Sequence, residues 1–420
     1  MALIESLQKP ALGRRMGTFR SLRWLSLGIL LALTAVSGQS PTQQYRLFQA
    51  ASPYQFDVVG WMAGSLLGQL LSPMASRASD PDVLARFLEL SKKLTSARAT
   101  LEGAAASSDT AALAIRQEQV ASLEKELDSL AWEVQELLGS SVSQQLLQHG
   151  LGGNLLGIRP FPPVNFRMIQ LPEVLIVSPR ERIRYAGAVL LQPGLSVRQM
   201  EQVETRAEAL GYSALVVPIG GLGTYPAMVP YSSNLKFLLT TVAHEWTHQY
   251  LALRPLGYRY SLGLERDPDV IAINETVADM VGQEIGEAAY AVLNSRKVTV
   301  PSSTEEPKIT GAEAFDFNAE MRRIRLEVDR MLAAGRVQEA EQFMEQSRQR
   351  LVAHGYPIRK LNQAYFAFYG SYADAPYSVS PIGQELRELR SRYNSLAEFL
   401  QAVSSFRSHD DLRTALDARR

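Results

Sequence analysis

His244-Glu245-Trp246-Thr247-His248 puts two imidazoles four residues apart with a carboxylate between them. On a helix, positions four apart share a face, so both rings reach one cation while Glu245 addresses water beside it. The surrounding pattern predicts a helix from Ser233 to about Leu253, with Val242, Trp246, Tyr250 and Leu253 on another face as its anchors in the core. The motif takes two of only five histidines. In chains of this composition it arises by chance in well under about one in a hundred.

A catalytic zinc site takes three protein ligands and leaves a fourth position for water. Downstream, Ile271-Ala272-Ile273-Asn274-Glu275-Thr276-Val277-Ala278-Asp279 offers two carboxylates four apart on a second predicted helix. One of Glu275 and Asp279 can bind the metal while the other supports a ligand histidine. His149, His354 and His409 stand apart from any paired motif and read as surface or structural residues, and Glu305-Glu306 reads as solvated.

With both motifs in place, the chain resembles the gluzincin metallopeptidases over roughly residues 165 to 405, on HEWTH at 244 to 248 and NETVAD at 274 to 279. The resemblance implies one Zn2+ held by His244, His248 and Glu275, with Glu245 as general base. It also implies Asp279 as partner of a ligand histidine, His244 first, and Asn274 as a residue steadying the ligand helix. Zinc chemistry then supplies an acidified water and a polarised carbonyl, with Glu245 moving the proton and a peptide or protein as substrate. A looser likeness to bacterial predicted zinc aminopeptidases brings in Leu361-Asn362-Gln363-Ala364-Tyr365-Phe366-Ala367-Phe368-Tyr369. No GxMEN-type segment for gripping a free amino terminus precedes the motif. Leu251 and Arg254 stand where the metzincin pattern needs glycine and histidine. The distance from His248 to Glu275 exceeds the thermolysin-like spacing and contains Pro255, Gly257, Gly263 and Pro268, which predicts a long loop bordering the cleft.

A developing oxyanion needs a further donor, and Tyr365, Tyr369 and Tyr372 are the candidates, each also readable as a packed aromatic. Thr224 to Pro230, with Tyr225, Ala227 and Met228, reads as a short edge strand able to pair with an extended peptide. Strands are also expected at Glu173 to Ser178, Arg184 to Leu191 and Ala214 to Ile219, with a helix at Ser196 to Leu210. Residues 312 to 353 and Leu386 to Phe406 read as helices that complete and shield the site.

Toward the N-terminus, Val83, Phe87, Leu90, Leu94, Ala97 and Leu101 recur at steps of four and three. After a break at Gly103 to Asp109, Leu113, Val120, Leu123, Leu127, Leu130, Val134 and Leu137 continue the stripe, which predicts a helical hairpin with a coiled-coil seam over 81–138. Before it, Arg14, Arg15, Arg20 and Arg23 precede an apolar run from Trp24 to Val36 and small polar residues at 37 to 40. That is the pattern of a signal anchor or a cleavable export signal. The expectation is a single N-terminal transmembrane helix with an extracytoplasmic catalytic region, or a secreted protein if the segment is cut. A second apolar stretch, Val58 to Leu71, reads as a packed or membrane-proximal helix.

The bulk figures fit this picture. In 420 residues, 43 Lys+Arg balance 43 Asp+Glu, so no global charge draws nucleic acid, and none is expected as partner. The absence of cysteine excludes disulfides, thiol catalysis and zinc ribbons. The expected fold class is α+β and mostly helical, with a gluzincin core built on a small mixed sheet and active-site helices. Three segments are expected: a signal region at 1–40, a helical region at 41–150 and a catalytic region at 151–420. The competing reading is a noncatalytic membrane-anchored scaffold, in which the hairpin binds a partner and the metal site is structural or vestigial.

Overall fold

The computed structural model of the protein describes residues 43–71, 82–105, 110–155, 157–261, 267–295, 315–356, 358–369 and 380–418. Helices α1 (Gln43–Ala51) and α2 (Val58–Leu71) come first, followed by the hairpin of α3 (Val83–Ala105) and α4 (Thr110–Gln148). The hairpin is antiparallel. Arg116 bonds the Thr100 carbonyl near the turn, whereas Arg86 pairs with Glu126 farther along. Val83, Phe87, Leu90, Leu94 and Ala97 are buried against Val120, Leu127 and Val134, as their spacing predicts.

The transmembrane helix and membrane anchor expected from the sequence are corrected here. Among the described residues no helix is long and apolar enough to cross a membrane. The apolar run 24–36 lies outside the described residues. The other apolar stretch, α2, has 14 residues where a span takes about 20, and it packs through Met62 and Leu66.

Beyond the hairpin the strands fall into three small sheets among the described residues. β1 (Gly153–Leu155) pairs with β2 (Ile158–Phe161), and β3 (Phe166–Met168) runs parallel to a strand near the site. β4 (Glu173–Pro179) lies between β5 (Gly187–Leu191) and β6 (Tyr212–Pro218), antiparallel to both. Alternation along β4 divides its side chains between two layers. Leu175 and Val177 meet Val203 and Ala207 of α5 (Val197–Glu208), whose start is closed by a Ser196/Gln199 capping box. Val174 and Ile176 face the opposite layer with Leu215 and Val217. The parallel pair is completed by β7 (Ala227–Val229).

The centre of the molecule is a pair of long helices, α6 (Leu235–Leu251) and α8 (Pro268–Ser295), joined through the short α7 (Tyr258–Ser261). Asn234 caps α6 by accepting from Phe237 N at 3.1 Å, and Pro268 opens α8 at the position where its missing N–H costs nothing. One buried cluster runs from Phe87, Leu94, Leu127 and Val134 of the hairpin into Leu238, Val242 and Trp246 of α6 and Ile273, Val277 and Ile285 of α8. Gln135 of α4 also accepts from Met168 N of β3 at 2.7 Å. The hairpin therefore shares the core of the helix pair.

The remaining helices divide. α9 (Phe317–Ala333) and α10 (Val337–Ala353) form a separate core with Leu361 and Phe366, the latter on α11 (Gln363–Tyr369). α12 (Ile382–Ser391), α13 (Leu396–Val403) and α14 (His409–Ala418) join the main core through Leu386, Phe399, Leu400 and Leu412. Of the two groups expected to shield the site, the later one packs with α8. The fold is mostly helical with small sheets, an α+β arrangement.

Candidate metal centre

α6 and α8 cross in opposite directions, so rising numbers on one meet falling numbers on the other. His248 meets Asn274, His244 meets Asp279, and Thr240 meets Gly286. Glycine makes the approach possible. A Cβ on Gly286 would lie 2.6 Å from the Thr240 Cα and N, and one on Gly282 would lie 3.0 Å from the His244 Cβ. Glu275, Asp279, Gly282 and Gly286 follow steps of four, three and four, so carboxylates and glycines share one stripe facing α6.

His244, His248 and Glu275 converge. The two Nε2 atoms stand 3.0 Å apart, and Glu275 Oε2 lies 3.7 Å from each. A point equidistant from these three atoms lies about 2.0 Å from each, the length of a metal–imidazole bond for zinc. The outer nitrogens are already committed. His244 Nδ1 bonds Asp279 Oδ1 at 2.9 Å, and His248 Nδ1 bonds Asn274 Oδ1 at 2.9 Å. The Asn274 amide is oriented by its own bond from Nδ2 to the Leu256 carbonyl at 3.3 Å. With Asp279 and Asn274 accepting at Nδ1, both rings direct Nε2 inward, the orientation a cation requires.

The charges agree with that arrangement. Burial alone would push the His244 imidazolium down, but the Asp279 hydrogen bond and the charges of Glu245, Glu275 and Asp279 carry it up to about 9. Burial alone would raise Glu275, yet the charge of and hydrogen bond from His248, the charge of His244 and the Tyr260 hydroxyl bring it down to about 2. A cation held by these three atoms would compete with the proton that charges His244.

Glu245 is 4% exposed, and its Oε2 has no hydrogen-bond partner. Burial pushes this carboxyl above the usual carboxylate range, against the pull of His244 and His248. Gly221 and Gly223 lie directly against it: a Cβ on Gly221 would sit 2.0 Å from Glu245 Oε1, and one on Gly223 2.7 Å from the His248 Cβ. Trp246, on the other face of α6, donates Nε1 to the Pro162 carbonyl at 2.8 Å and stacks on Tyr250, so its part is to seat the helix.

Other expected site residues have partners of their own. Tyr365 and Tyr369 of α11 meet each other at a tilt and meet Phe366 and Phe368 edge-on, respectively, over β4 and β6 with Ala364. Tyr372 lies outside the described residues. Tyr225, Ala227 and Met228 are buried. One side of β7 pairs with β3, and Met228 exchanges both backbone bonds with Leu222 at 2.9 and 3.0 Å. The edge expected to receive an extended peptide is thus filled at Met228 by the chain's own Leu222. Thr224 meets α6, since its carbonyl accepts from Gln249 Nε2 at 2.6 Å.

Several residues at the centre were not singled out from the sequence. Tyr260 of α7 donates to Glu275 Oε1 and stacks on His248 with ring centroids 5.4 Å apart. Its signal was position, twelve residues after His248 in the long loop expected to border the cleft. The Gly282/Gly286 pair was visible as the continuation of the Glu275/Asp279 stripe. His409 carried no local signal, yet it bonds Asp269 at the start of α8 and Glu385 of α12, pinning the C-terminal helices to the ligand helix. Comparisons with protein-family models, curated proteins and solved structures give no match to this chain.

Proposed function

We propose that the chain is a zinc-dependent peptidase of the gluzincin type, with His244, His248 and Glu275 as metal ligands and Glu245 as general base. The observation that carries this reading is the position of Glu245: a buried carboxylate with an unpartnered oxygen, on the same helix turn as two converging imidazoles. An unpaired buried polar atom costs stability, and a metal site with only a structural duty has no need of one. That cost favours catalysis over the scaffold reading.

Two nitrogens and one carboxylate oxygen form the donor set of an open zinc site, and the metal, when bound, supplies a Lewis acid that polarises a carbonyl and acidifies water. The protein's own groups do the rest. Asp279 and Asn274 fix the ligand rings. Glu245 takes a proton from the attacking water at Oε2 and passes it to the leaving amine. Gly221 and Gly223 leave the space beside the base free of side-chain bulk. A peptide-library digest with purified full-length protein tests the reading. Cleavage should stop with chelator, return with Zn2+, and fall about 10³-fold in Glu245→Gln while that variant still binds metal. Undiminished cleavage by Glu245→Gln would refute the assignment.

A further inference from the structure

Three contacts orient the ligand group, and they differ in kind. Asp279 and Asn274 act on the histidines through Nδ1 and so set tautomers. Tyr260 acts on the third ligand. Its hydroxyl donates to Glu275 Oε1, and its ring stacks beside His248 at an interplanar angle of 23°. The opposite oxygen, Oε2, is the one that lies 3.7 Å from both Nε2 atoms.

The placement of Tyr260 is built into the loop. Gly257 lets the chain double back at the end of α6, since a Cβ there would lie 2.5 Å from the Leu251 carbonyl carbon. Leu256 is buried, donates its N–H to the Ser404 carbonyl at 3.2 Å and accepts from Asn274 Nδ2. The segment that carries Tyr260 is therefore tied to both the ligand helix and the C-terminal helices.

A carboxylate with two free oxygens can chelate a cation through both, as larger oxygen-seeking ions prefer. One whose Oε1 already accepts a phenolic proton offers a single donor. We infer that Tyr260 is a positioning residue that restricts Glu275 to one donor oxygen, preserving an open coordination position and favouring a small four-coordinate cation over a larger, higher-coordinate one. This inference rests on the metal-centre reading above. It gives the hydroxyl, and not the ring, the decisive part.

The test uses the full chain and two substitutions. Tyr260→Phe keeps the ring against His248 and removes only the hydroxyl, whereas Tyr260→Leu removes both. Zn2+ and Mn2+ affinities are measured by competition with a chromophoric chelator, and Co2+ is loaded as a spectroscopic probe of coordination number. Tyr260→Phe should lose Zn2+ affinity by about 10- to 100-fold. It should lose less for Mn2+, and its visible Co2+ band should weaken as coordination rises above four. Tyr260→Leu should give the same Co2+ spectrum as Tyr260→Phe. Wild-type Zn2+ affinity and an unchanged Co2+ spectrum in Tyr260→Phe would overturn the inference and leave only the ring with a role. A wild-type chain that takes up neither Zn2+ nor Co2+ would instead remove the metal centre itself, a result visible before either variant is made.

Discussion

α6 and α8 meet along glycines, whereas α11 lies along a sheet. Both regions carry polar residues four apart: His244 with His248 and Glu275 with Asp279 in the first, Tyr365 with Tyr369 in the second. In the helix pair the close crossing brings Glu275 to 3.7 Å from both imidazoles and Asp279 to 2.9 Å from His244. On α11 the tyrosine rings pack against apolar strand residues and one another. A four-residue spacing gives a helix face, and the surface opposite decides whether that face does chemistry or packing.

The most severe way to break the contrast is to spoil the crossing. Gly286→Leu puts a side chain against the Thr240 backbone, which cannot rotate away, and should destabilise the fold by about 3 kcal/mol in urea unfolding and weaken metal binding with it. A neutral result would mean that the glycine stripe does not set the site. Next in size, Asp279→Asn keeps the shape but removes the charge behind His244, and Zn2+ affinity should fall about 10- to 100-fold in chelator competition.

The charge arrangement gives a pH signature in the metal-free protein. His244 rises from 6.5 to about 9 on folding, so its stabilisation is complete below pH 6.5 and is lost as pH climbs through 9. Glu275 falls from 4.5 to about 2, so its contribution is present above pH 4.5 and is lost as pH drops through 2. The melting temperature of chelator-treated protein should decline from pH 6.5 to 9, and Zn2+ should flatten that decline by taking the proton's place. A flat metal-free profile over that range would contradict the coupling. The smallest effect belongs to the other region: Tyr365→Phe and Tyr369→Phe should leave peptide cleavage within about twofold of wild type. A large loss of cleavage would return the aromatic helix to the site.

The convergence of His244, His248 and Glu275 was legible because its spacing is local. His244, Glu245 and His248 lie within one helix turn, and Glu275 and Asp279 repeat the spacing on the next long helix, so periodicity alone put each set on one face. The hairpin stripe and the strands of the antiparallel sheet were legible for the same reason. The loop contacts were not. Tyr260 reaches Glu275 only because Gly257 folds the chain back, and His409 reaches Asp269 across more than a hundred residues. Thr224 to Pro230 was legible as a short strand at a sheet edge, but the bridge from Met228 to Leu222, a contact periodicity does not encode, occupies that edge at one residue. For Tyr365 and Tyr369 periodicity left both a cleft and a packed surface open, and the structure packs them on the sheet.

Metal content per chain tests the central claim most directly. Full-length protein, purified, exposed to Zn2+ and passed through a desalting column, should retain one zinc per molecule by elemental analysis, and His248→Ala should retain none while remaining folded by circular dichroism. A wild-type chain that emerges without zinc, or a His248→Ala chain that keeps it, would contradict the account.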